Sequence, residues 1–173
     1  MKPILRVTCQ WATFPASIIR MAQAYQKDPH KISLSDDSIY VTDSARGEVV
    51  VISPELEQSV LTGEPQFAGA NGIHVNNDDL WVGGGRLWHV DLRDNTVTTV
   101  GPLWVGGIDG IEQEADGTLQ VTPVGGALIR VAETYEVHKG DGVSSANHGW
   151  SENLRLALIP TGFDNTVIAI RGP

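Results

Sequence analysis

The chain has 173 residues, 19 of them glycine, and carries 12 Lys and Arg against 21 Asp and Glu for a formal net charge of −9. That is the composition of a turn-rich globular domain of single-domain length, and its acidity excludes a nucleic-acid backbone as partner, which needs clustered Lys and Arg. Cys9 is the only cysteine, which excludes an internal disulfide and a thiolate metal cluster and fits a reducing, cytoplasmic setting.

Residues 1–29 form a non-repeat segment. Ile4–Cys9 reads as a strand, and Pro15–Gln26 as a short helix with Ile18, Ile19, Ala22 and Tyr25 on one face. Asp28-Pro29 ends it, because the residue before proline is pushed out of the helical region. Arg6, Thr8, Gln10 and Pro15 interrupt any continuous apolar run there, so no secretory leader is expected. No stretch of the sequence is apolar enough to predict a membrane span, and no membrane partner is expected.

Residues 30–173 repeat four times. The copies are PHKISLSDDSIYVTDSARGEVVVI, NGIHVNNDDLWVGGGRLWHV, DGIEQEADGTLQVTPVGGALIRV and NHGWSENLRLALIPTGFDNTVIAI. Each holds a short strand, a polar turn, an apolar strand, a second turn and a third strand. The second strands align at Val41, Val82, Val121 and Ile159, an interval that stays near forty from copy to copy. Asn77-Asp78, Asp116-Gly117, Gly125-Gly126 and Asp164-Asn165 supply the turns. Thr96–Val100 is a fourth strand after the turn Asp94-Asn95. Four strands at a period near forty predict an all-β fold, a β-propeller with about four recognisable blades. A β-sandwich of regular strand spacing is the alternative, but it gives no reason for the turn chemistry to recur at one period.

The residue ahead of each first strand lies at the mouth of a propeller's channel. It reads Pro29 or His30, then Asn71, Asp109 and Asn147, the last three at equal intervals along the chain. Three oxygen-bearing side chains in an acidic protein suit a hard divalent cation, calcium first. The plainer reading is that Asn-Gly and Asp-Gly are ordinary turn pairs. Three ligands, two of them neutral, also leave a strong calcium site short of a carboxylate. Elsewhere the histidines show no metal-ligand spacing, Trp81, Trp88, Trp104 and Trp150 suit packing between blades, and Gly83-Gly84-Gly85 belongs to a hairpin turn. No serine stands in a nucleophile-elbow context.

With those residues in view, NGIHVNNDDLWVG, GGIDGIEQEADGTLQV and LALIPTGFDNTVIAIRG resemble the gluconolactonase–regucalcin family of six-bladed propellers over residues 30–173. The resemblance implies a divalent metal, often calcium, at the channel mouth, and hydrolysis of a sugar lactone or related ester as the small-molecule substrate. It carries over onto Asn71 and Asp109, with Asn147 as a further polar ligand. Asp109 is the implied proton acceptor or metal-bound carboxylate. Two departures stand out. Four repeats are fewer than six blades, as if the N-terminal blades were lacking, and the family's Glu-Gly-Pro glutamate has no counterpart, since Gly63-Glu64-Pro65 differs in order and place. A partial ring would expose sheet edges and invite self-association. The sequence therefore supports two readings: a metal-dependent hydrolase, or a non-catalytic propeller acting as a binding or scaffold module or standing as an inactive truncated family member.

Overall fold

The structure, a computed structural model, describes residues 29–35, 38–61, 67–101, 107–125, 127–131, 135–139, 147–161 and 166–172. The strand expected at Ile4–Cys9 and the helix expected at Pro15–Gln26 lie outside them. Every regular element among the described residues is a strand, and the strands form four antiparallel sheets in sequence order. Blade A comprises β1 (Pro29–Leu34), β2 (Ile39–Asp43), β3 (Glu48–Ile52) and β4 (Gln58–Val60). Blade B comprises β5 (Ile73–Asn76), β6 (Asp79–Gly83), β7 (Leu87–Asp91) and β8 (Thr96–Val100). Blade C comprises β9 (Ile108–Gln113), β10 (Leu119–Pro123), β11 (Ala127–Val131) and β12 (Tyr135–Lys139). Blade D has three strands among the described residues: β13 (Gly149–Ser151), β14 (Leu156–Pro160) and β15 (Val167–Arg171). A fourth strand thus recurs in three blades, where the sequence shows it plainly in one.

The turn chemistry explains the hairpins. Asn77 and Asn95 take the left-handed region at φ 52° and 59°, which asparagine tolerates better than most residues, and Gly117 does so at φ 91°. Arg155 adopts φ 52° in the matching turn of blade D. It is held there by an Arg155 N–H bond to Glu152 O and by accepting from Gly172 N–H.

Strand alternation assigns each side chain to one of two neighbouring blades. Tyr40 and Val49 pack with Val75, Leu80, Val82 and Trp88 between blades A and B, where Phe67 meets Trp88 edge-on at 5.5 Å. Leu87, Ile108, Ile111, Val121 and Ile129 fill the joint between B and C. Leu128, Ala157 and Ile159 fill the joint between C and D. On the opposite side of blade A, Val41, Val50 and Ile52 are each 1% exposed. The inner strands β1, β5, β9 and β13 adjoin in that order. Each fully buried Leu or Val contributes about 1.5–3 kcal/mol, so the stacked joints, and no single blade, supply the core.

Glycines let the blades approach. Ile108 N–H donates to Gly84 O at 2.7 Å, and Gly72 N–H to Ile108 O at 3.1 Å. A Cβ on Gly83 would lie 2.6 Å from Ile108 Cγ2. The triple-glycine run is thus a joint surface between two blades, with Gly83 closing β6.

Candidate metal site at the channel mouth

The repeat predicts that Asn71, Asp109 and Asn147 share one position. Pairing register shows where each falls. Ile73 faces Val82, and Ile111 faces Val121. Asn71 and Asp109 therefore each lie two residues ahead of equivalent positions. In blade D it is Gly149 that faces Leu158, so the residue opposite Ile159, the counterpart of Val121, is His148. His148 thus takes the place of Ile73 and Ile111, and Asn147 takes the place of Gly72 and Gly110. The packing agrees: a Cβ on Gly72 would meet Ile111 Cγ1 at 3.2 Å, and one on Gly110 would meet His148 Nδ1 at 2.6 Å. Asn147 itself is exposed and precedes β13. The position matching Asn71 and Asp109 falls on residue 146, an alanine outside the described residues.

Asn71 is rigidly held. Its N–H donates to Gly83 O at 2.6 Å, and its carbonyl accepts from Thr42 Oγ1 at 2.9 Å. Its Oδ1 is buried and accepts no hydrogen bond among the described residues. A buried acceptor without a donor costs about 1–3 kcal/mol, and a cation is one group that would satisfy it. Asp109, half-buried, is the second residue of β9. The two residues fit part of a hard-cation site: one amide oxygen and one carboxylate. Among the described residues, no three His, Cys, Asp or Glu assemble into a metal-binding group.

His148, which the repeat hid by offering Asn147 instead, is 3% exposed, with Nδ1 3.2 Å from Thr122 Oγ1. It joins blades C and D. At the other end of the blades, a cleft of about 690 Å³ between A and B is lined by Leu34, Ser35, Tyr40, Asn76 and Asp78 among others. Its asparagines bond to one another and to Gln113, and among the described lining residues no nucleophile is paired to a base. The mouth is therefore the candidate site.

The fold defines the class: the described residues form four antiparallel sheets of a partial β-propeller. A scan of family models finds no match, and neither does a search of curated proteins. Solved structures do match. A nidogen/laminin complex structure aligns at TM-score 0.76 and 15% identity over 85% of this chain and 60% of that one. A streptogramin B lyase aligns at 0.64 and 14% over 86% and 56%. A computationally designed protein, Ika4, aligns at 0.68 and 10% over 86% and 94%. The chain thus spans less than two thirds of the length of each of the first two. At these identities the likeness shows the fold alone.

Proposed function

We propose that the chain is a metal-dependent hydrolase domain of the gluconolactonase-like type, acting on a sugar lactone or related ester at the channel mouth. The observation that carries this reading is the buried, unbonded Oδ1 of Asn71 on a joint that Thr42 and Gly83 hold fixed. A bound divalent cation, calcium by the family resemblance, supplies carbonyl polarisation and acidifies a water. Asn71 and Asp109 are the donors. Asp109 is also the residue to accept the proton of the attacking water. The lyase among the similar structures supports the reading only in being an enzyme on such blades.

The test is calcium titration by calorimetry, followed by a panel of sugar lactones. Saturable binding that disappears in Asp109→Ala, with lactone hydrolysis lost in parallel, is the expected result. Calcium affinity unchanged by Asp109→Ala would overturn the reading.

A second reading, a non-catalytic binding module that associates with a second copy, is favoured by the outer flank of blade D. The positions of Tyr40 and Gln120, 8% and 1% exposed under the next blade, are matched in blade D by Leu158 at 42%. Val167, opposite Pro160 on the same face, is 63% exposed. Among the described residues of β14 and β15 this flank carries no carboxylate. It is therefore the face through which two acidic copies approach at least electrostatic cost. Sedimentation equilibrium decides it. A dimer dissolved by Leu158→Lys supports this reading, and a monomer at all concentrations ends it.

A further inference from the structure

The cleft between blades A and B, at the end of the blades away from the mouth, holds a polar group that the fold leaves unanswered. Tyr40 of β2 packs in the same cluster as Val75, Leu80 and Trp88 and is only 8% exposed, yet it lines the cleft. Among the described residues its hydroxyl makes no hydrogen bond. A tyrosine buried this far ordinarily finds a partner for its O–H, and the cleft is where one can enter. The donors around it are already engaged. Ser35 Oγ donates to Ser38 O at 3.3 Å, Asn77 Nδ2 to Asn76 Oδ1 at 3.1 Å, and Asn76 Nδ2 to Gln113 Oε1 at 2.7 Å. Asp78, on the exposed turn after β5, is the one charged residue among the described lining. Arg93 also feels its charge, but the Arg93 guanidinium is held by Asp91 and lies outside the lining. Leu34, 46% exposed, and Leu92 add an apolar strip beside these acceptors.

We propose that this cleft binds a primary ammonium group on an aliphatic chain, as a polyamine or a lysine side chain carries it. The ammonium donates to the Asp78 carboxylate and to the Tyr40 hydroxyl oxygen, and its methylenes lie along Leu34 and Leu92. An ammonium brings three donors and no acceptor, which complements a rim whose own donors are engaged. A phosphate or carboxylate ligand finds no Lys, Arg or His among the described lining residues. A sugar finds no open ring face to stack on, because Tyr40 shows too little of its own. The net charge of −9 draws a cation toward the chain, and about 690 Å³ lies within the roughly 300–1,000 Å³ usual for a small-ligand site. This site is separate from the mouth and does not depend on the metal reading.

The experiment is calorimetric titration of the full chain at neutral pH with cadaverine and with Nα-acetyl-lysine methylamide, and with glucose and inorganic phosphate for comparison. It compares the parent with Asp78→Asn and Tyr40→Phe, each first checked for an unchanged melting curve. The expected result is saturable amine binding, lowered by at least roughly tenfold in Asp78→Asn and by about three- to tenfold in Tyr40→Phe. In the parent the affinity should also fall as salt is added, because half of the contact is a charge pair at an exposed rim. Cadaverine bound more tightly than the lysine derivative identifies a free polyamine as the source of the ammonium, and the reverse order identifies a peptide lysine. Amine affinity untouched by Asp78→Asn or by salt overturns the inference. So does glucose or phosphate bound in preference to the amines, and so does a chain that binds neither amine.

Discussion

The carbonyl oxygen of Asp109 lies 2.8 Å from the point a Cβ on Gly72 would occupy. Blade B is therefore seated directly on the backbone of the residue that blade C contributes to the mouth. Gly72→Ala must push this carbonyl, the adjoining carbonyl carbon at 3.2 Å and Ile111 Cγ1 at 3.2 Å. Overpacking of this kind costs about 1–3 kcal/mol. Urea denaturation should show that loss, and metal titration should show weakened binding, because Asp109 moves relative to Asn71. Gly69→Ala tests the other cause. Its Cβ would meet nothing within 4 Å, but its φ of 69° makes any loss purely a backbone effect, so binding should persist.

Glu114 is a carboxylate buried to 3% exposure between blades C and D. Arg130 donates to both of its oxygens, from Nε at 2.6 Å and from Nη2 at 3.0 Å, and Gln120 Nε2 adds a bond at 2.9 Å. Arg155 approaches within 3.8 Å from blade D. Arg130→Met removes the bidentate partner of a buried charge, a change expected to cost about 3–5 kcal/mol. The double variant Glu114→Leu with Arg130→Met should recover most of that loss, because no unpaired charge remains. Thermal melts of the single and double variants check this.

His74 sits at the joint of blades B and C, opposite Trp81 and 3.9 Å from Glu112. Burial lowers its pKa below the usual 6.5 despite that carboxylate. The fold therefore prefers the neutral ring, and the unfolded chain takes up the proton first. The contribution is complete above the unfolded value near 6.5 and is lost as the pH falls through it toward the lower folded value. His74→Gln should flatten this part of the profile, measured as urea midpoint against pH between about 7.5 and 5.

Asp91 is a half-buried carboxylate whose pKa is lowered to about 2, first by the side-chain hydrogen bond from Arg93 and next by the Arg93 backbone N–H. Arg93→Gln keeps the backbone donor and removes the guanidinium. Carboxyl chemical shifts followed by NMR should show the Asp91 midpoint rising toward its usual 3.8, without reaching it. An unmoved midpoint would show that the N–H alone holds it.

Much of the fold was legible because a propeller blade is a local object. The β-branched and aromatic runs Ile39–Thr42 and Val49–Ile52, the asparagines at 77 and 95, and the repeat period each mark strands or turns from nearby chain. The joint role of Gly83 was not legible, because the Ile108 side chain that excludes a Cβ there belongs to the following blade. Glu114 looks like a surface residue in the run EQEADG and is buried only because Arg130 and Gln120 close over it.

The sequence by itself determined the repeat and the strand order within each blade, and it offered Asn71, Asp109 and Asn147 as candidates for the mouth. Those follow from side-chain period and turn chemistry, which act over a few residues. Only the tertiary structure decided the register at the mouth. Spacing placed Asn147 beside Asn71 and Asp109, and pairing moved it to the place of Gly72 and Gly110, with His148 over Gly110. The same pairing places Asp109 at a bulge in β9, between Gly110 opposite Thr122 and Ile108 opposite Pro123. The physical reason is that strand residues alternate faces, so a single bulged residue reverses which side chains point to the channel. A bulge is defined by the hydrogen bonds of two strands together, and neither strand's sequence contains it.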